Sequence, residues 1–192
     1  MNGLGIAFKE WAVICRALAE GRQALILRKG GVAEAGGEFR VEHRRFWLYP
    51  TYLHQQRSGI VADALPLLEK VEAERPASGV VRLSHFVEAP YVCHFEDVES
   101  ALRLGPWHCW SEETVRARFA YRRPGLFVLA VRVYRRSEAV ELVETPEYAG
   151  CKSWVQLGHE LPTEGATPIL DDAAFAEVMR HLDRAAAWKT WV

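Results

Sequence analysis

Leu126-Phe127-Val128-Leu129-Ala130-Val131-Arg132-Val133-Tyr134 decides the fold class. Almost every residue in it is β-branched, aromatic or otherwise apolar, and Pro124-Gly125 turns the chain just before it. Such residues fit a pleated, buried surface, so the stretch is a strand. Upstream, Ser111-Glu112-Glu113 puts a cap acceptor and two acids at the positive end of a helix reaching about Tyr121. Residues 98–104 form a short helix and residues 79–91 are extended. Downstream, residues 140–144 continue the sheet after a hairpin, and residues 151–157 form a short extended segment. Asp171-Asp172 opens a last helix, about 171–187, that packs on the rest.

The N-terminal side is read the same way. Leu4, Phe8, Trp11, Cys15 and Leu18 recur at three- and four-residue steps, which predicts a helix over 4–20 ended by Gly21. Residues 23–28 form a strand around Ala24-Leu25-Ile26-Leu27. Lys29-Gly30-Gly31 breaks it, and Gly36-Gly37 marks a turn soon after. Phe46-Trp47-Leu48-Tyr49 is a second strand. Pro50-Thr51 then opens a helical turn with Thr51 as its N-cap. Residues 60–74 are helical, with Pro66 at a first turn or a kink. Glycines and prolines across 158–168 mark a mobile loop.

Strands and helices are dispersed without strict alternation, so a doubly wound parallel sheet does not fit. The expected fold is α+β: a mixed or antiparallel sheet, able to curl into a small barrel, with flanking helices. A chain of 192 residues fits one globular domain over 1–192 that builds a core without staples. Four scattered cysteines, Cys15, Cys93, Cys109 and Cys151, read as reduced thiols. Lys9 and Glu10 interrupt the N-terminus before a signal-type apolar run forms, and no run is long enough to span a membrane. The expected location is the cytoplasm. The net charge of −1 excludes a polyanion binder working through bulk charge, so a nucleic-acid role needs a local patch.

Phosphate-loop, dinucleotide, nucleophile-elbow and zinc motifs are all absent from the sequence. Cys93-His94 and His108-Cys109 do not make a metal site, because neighbours on a strand point to opposite faces. No metal and no cofactor is expected. Three segments carry chemistry. Arg28-Lys29-Gly30-Gly31 leads two cations into a turn whose N–H groups can cradle an anion. Residues 40–56 are rich in cations and aromatics: Arg44 and Arg45 suit phosphates, Trp47 suits base stacking, and Gln55 suits reading a ligand. His54, three residues after the proposed cap, would be kept neutral by the helix end and so able to relay a proton. Cys151-Lys152-Ser153-Trp154 sets a thiol beside a cation, a hydroxyl and an indole.

Phe8-Lys9-Glu10-Trp11, Leu27-Arg28-Lys29-Gly30-Gly31, Phe46-Trp47-Leu48-Tyr49-Pro50-Thr51 with His54-Gln55, and Gly150-Cys151-Lys152-Ser153-Trp154 resemble the bacterial domain-of-unknown-function family 1802. The similarity runs from the first helix to about Leu157. It implies a bacterial cytoplasmic protein and carries no activity. The residues themselves point first to a binding module for nucleic acid, a nucleotide or another phosphorylated ligand. The alternatives are a small hydrolase or nuclease, with His54 for acid-base work and Lys29 holding an anion, and a non-catalytic partner-binding protein.

Overall fold

The computed structural model of the chain describes residues 3–29, 41–150 and 152–185. Its element order is β1 (Gly3–Trp11), α1 (Ala12–Ala19), β2 (Leu25–Arg28), β3 (Arg45–Thr51), α2 (Leu65–Ala73), β4 (Val80–Phe95), α3 (Val98–Leu102), α4 (Glu112–Ala120), β5 (Leu126–Val143), β6 (Trp154–Pro162), β7 (Thr167–Pro168) and α5 (Asp172–Ala185). The strands form one mixed sheet in the order β2-β5-β4-β3-β1-β6, with β7 added to β5. Among the described strands β1 and β3 are the parallel pair, and the other pairings are antiparallel. The fold is α+β, and among the described residues five α-helices flank the sheet.

Among the described residues no ladder closes the sheet into a barrel, since β2 and β6 are both edges. It curls nonetheless. Arg28 at the end of β2 donates to the Ser153 hydroxyl, just before β6, at 2.7 and 3.2 Å. The sheet is buried on both faces, and β3 shows how. Phe46 and Leu48 join the core under the helices, whereas Trp47 and Tyr49 join a second core with Phe86, Val155 and Leu157. Alternation along a strand sends successive side chains to opposite faces, so a strand covered twice reads as continuously apolar.

That double burial explains the largest departure from the sequence reading. Residues 4–20 are not one helix: residues 3–11 are β1, and the helix begins only at Ala12. β1 lies between β3 and β6, with Ala7 on one core and Phe8 on the other, so no period of two stands out. The spacing of Leu4, Phe8 and Trp11 imitates a helical stripe. β5 runs unbroken through residues expected to form a hairpin, paired with β4 from Leu126↔Phe95 to Val143↔Val80. Residues 158–162 belong to β6, so the expected mobile loop shrinks to the turn before β7.

Pro50 and Thr51 also belong to a strand, not to a helical turn. Pairing of β3 with β4 ends at Trp47↔Phe86, and beyond it the strand is held by β1 alone. A residue without an N–H is tolerated on such an unpaired side. Helices α3 and α4 start where the sequence places them. Asp97 accepts from Glu99 N and Ser100 N, and the Ser111 hydroxyl accepts from Thr114 N. α5 buries Phe175, Val178 and Leu182, one turn apart or nearly so. Among the described residues no helix is long and apolar enough to cross a membrane.

Candidate functional site

Because β1 and β3 run parallel, they end on the same side of the sheet. A cleft of about 1220 Å³ opens there. Its walls are the ends of β1 and β3, the end of β2, the start of α1, one side of α4, the first half of β4, and the turn before β6. Eight lysines and arginines line it against three glutamates. A chain that is nearly neutral overall therefore concentrates positive charge in one concavity.

Four of these cations are anchored by backbone carbonyls, and Arg16, Arg28 and Arg82 face glutamates. Lys9 donates to the carbonyls of Tyr148 and, at 3.0 Å, Gly150. Lys152 donates to the Glu147 carbonyl. Lys29 donates to the carbonyls of Gly125 at 2.6 Å, Phe119 at 3.5 Å, and Arg123, which ties β2 to the end of α4. Arg118 donates to the Leu27 carbonyl at 3.0 Å and lies over the Trp110 ring at 3.6 Å. Burial pulls Arg118 down to about 10, so it is still charged at neutral pH. A carbonyl fixes the position of a cation without cancelling its charge.

Glu10, next to last in β1, is the buried one of the three glutamates. It is 2 % exposed. Its Oε1 accepts from the Trp11 N–H at 2.8 Å, while Oε2 has no hydrogen-bond partner among the described residues. Arg28 Nη1 stands 3.8 Å from Oε2, beyond hydrogen-bond reach. Beside it, Trp11 packs edge-on to Trp110 at 4.8 Å and against Gly59. A Cβ at Gly59 would lie 2.6 Å from the Trp11 ring, which is why glycine stands there. Tyr52 and Tyr121 add further aromatic lining. His85 lies towards the other end, its Nδ1 2.8 Å from the Ser84 hydroxyl and its Nε2 without a hydrogen-bond partner among the described residues. Burial, then Arg135 and Arg16, push His85 down to about 4, so it is neutral.

The residues singled out from the sequence divide sharply. Arg28, Lys29, His54 and Lys152 line this one cleft. His54 is exposed at a turn with φ of 65°, a conformation that histidine adopts more readily than most residues. No helix starts at Thr51, so no helix end acts on His54. Trp47 is fully buried, donates to the Leu4 carbonyl at 2.9 Å and packs edge-on to Phe86, so no base can stack on it. Arg44 reaches the carbonyls of Ala89 and Pro90, and Arg45 reaches Glu88 and Thr163. Both lie at the far end of β3 and do not line the cleft. Gln55 accepts from Val13 N at 2.9 Å and donates to Glu72, capping α1. Ser153 is buried under Arg28, and Trp154 packs on Phe8, Phe46 and His43. Gly30, Gly31 and Cys151 lie outside the described residues.

Cys15, Cys93 and Cys109 are free, buried thiols, and burial raises all three. No group of metal-ligating side chains occurs among the described residues. Sequence reasoning missed Glu10 and Arg118. A charged residue inside the apolar run of β1 is the one signal for Glu10. Arg118 sits in a helix of mixed charge and carries none.

Fold and site together define an α+β protein built on one open mixed sheet, with a cation-lined cleft where its parallel strands end. The chain belongs to the family described as Domain of unknown function (DUF1802), whose sequence model matches residues 7–181. No curated protein matches it. Among solved structures it is similar to the ASCH protein from Zymomonas mobilis. A serine-to-alanine variant of that protein superposes with a TM-score of 0.44 at 12% identity, covering 91% of this chain and 94% of that one. The parent form superposes with a TM-score of 0.40 at 13% identity, covering 91% and 93%.

Proposed function

We propose that the protein is a binding module for a phosphorylated ligand, and that the ligand is a short single strand of nucleic acid lying in the cleft. The observation that carries this is the lining: eight cations against three carboxyl groups in a chain of net charge −1. Low-dielectric walls focus such a field and draw polyanions in. Size points the same way. The cleft exceeds the several hundred to about 1,000 Å³ usual for a small-molecule site, so it has room for more than one nucleotide. Trp11, Tyr52 and Tyr121 supply aromatic faces of the kind on which bases stack. Catalysis by a His54–Lys29 pair does not enter this reading, because the Lys29 ammonium is committed to three carbonyls.

Fluorescence anisotropy with labelled RNA and DNA oligomers tests the proposal. If four cations meet phosphates, the log–log salt slope is about −3, and affinity falls about 50-fold between 50 and 200 mM salt. Absence of binding at the lower salt, or binding that salt leaves unchanged, would sink it.

A further inference from the structure

Glu10 is out of place in a site built for polyanions. A buried carboxyl oxygen without a partner costs free energy, and native structures rarely keep one without a use. This one is held still. The Glu10 backbone carbonyl accepts from the Thr51 hydroxyl at 3.2 Å and from the Cys15 thiol at 3.7 Å. Oε1 is taken by the Trp11 N–H. Arg28 keeps two of its nitrogens on Ser153 and leaves the third, Nη1, 3.8 Å from Oε2, an ion-pair contact too long for a hydrogen bond. One acceptor is left, rigid, 98% buried with its residue, and set in the wall of the cleft.

We propose that Glu10 is a specificity-determining residue: its Oε2 accepts a hydrogen bond from a neutral donor on the bound strand, either an exocyclic base amine or a ribose 2′-hydroxyl. The inference rests on the reading of the cleft as a single-strand site and adds what that strand must carry. Phosphates met by the surrounding cations set affinity, and they are the same in every sequence. A carboxyl oxygen distinguishes instead. It rewards a donor and repels an acceptor placed at the same point. Cytosine and uracil differ in this way at position 4, as do adenine and hypoxanthine at position 6. With one oxygen available, a single donor is read.

The Trp11 N–H makes the test sharp. It requires an oxygen at the Oε1 position, so Glu10→Gln places the amide NH₂ where Oε2 stood. An acceptor becomes a donor without a change of shape. Anisotropy competition between cytosine-only and uracil-only strands, and between adenine-only and hypoxanthine-only strands, in RNA and DNA forms, reads the outcome. If the donor is a base amine, the wild type prefers the amine-bearing strand by about 10- to 100-fold, and Glu10→Gln reverses the order. If it is the ribose hydroxyl, the wild type prefers RNA over DNA with every base, and Glu10→Gln narrows that gap.

Strands that all bind the wild type within about twofold of one another would overturn the role of Glu10 and leave the cleft as an unselective strand site. So would a preference that a folded Glu10→Gln protein keeps unchanged. If that variant does not fold, the wild-type ratios alone decide. If no strand binds at all, the reading of the cleft fails and this inference fails with it.

Discussion

His108 offers a quantitative test of the packing beside the cleft. It is 6% exposed, and its Nδ1 accepts from the Trp110 N–H at 3.2 Å. Its Nε2 has no hydrogen-bond partner among the described residues. Burial, and secondarily the Arg118 guanidinium, push its pKa from 6.5 down to about 4. The sign follows from proton counting. Above 6.5 neither state is protonated and the native packing contributes fully. As the pH falls, the unfolded chain takes up the proton first and stability drops, until the folded state also protonates near 4. The complete loss is about 3 kcal/mol, of which about 2.5 kcal/mol is spent by about pH 4.5. His108→Asn keeps an acceptor for the Trp110 N–H and removes the titration. Carboxyl groups titrate in both proteins, so the difference between them isolates the imidazole. Urea unfolding at about pH 7.5 and about pH 4.5 should show the wild type losing roughly 2.5 kcal/mol more than the variant. Parallel pH profiles, or an NMR titration of His108 centred near its ordinary value, would refute the reasoning.

Two further outcomes follow from the same geometry. Trp47→Ala removes one of the two largest fully buried side chains and takes the indole donor from the Leu4 carbonyl, so it should cost about 3–5 kcal/mol in urea unfolding; a cost below about 1 kcal/mol would mean that Trp47 is not core. Arg75→Ala and Lys152→Ala, both in the cleft wall, should each flatten the salt slope for single strands by about 0.7. Arg44→Ala, at the other end of β3, should leave that slope unchanged, and an equal effect at Arg44 would move the binding site away from the cleft.

The fold was legible wherever local chemistry and tertiary setting agree. β5 is β-branched and aromatic throughout its first half, and Ser111 and Asp97 satisfy the N–H groups of the helices they open. It was illegible where tertiary burial erases periodicity. β1 is covered on both faces and runs into α1 without a loop, so its apolar residues fall by chance on a helical spacing. Pro50 looked like a helix opener because a strand proline is unusual. Only the knowledge that β4 stops pairing at Trp47 makes it ordinary.

The site shows a different limit. Composition identifies which residues have useful chemistry, but not where that chemistry points. Segment 44–55 holds the right types, yet Trp47 is shut in the core while residues 48–54 reach the cleft, and Arg44 lies a strand length from His54. Gln55 and Lys29 are polar because a helix start and a helix end need partners, so their chemistry is spent inside the fold. The converse holds for Glu10. It looks like one charge among many in the sequence, and only the packing around the end of β1 shows that its carboxyl is buried. A polar group whose partners are all accounted for explains structure. A buried carboxyl oxygen that accepts no hydrogen bond among the described residues, in the wall of a cleft, asks for a ligand. Counting hydrogen bonds therefore separates Glu10 from Lys29, although both are charged, both line the same cleft, and both stand in the segments by which the family is recognised.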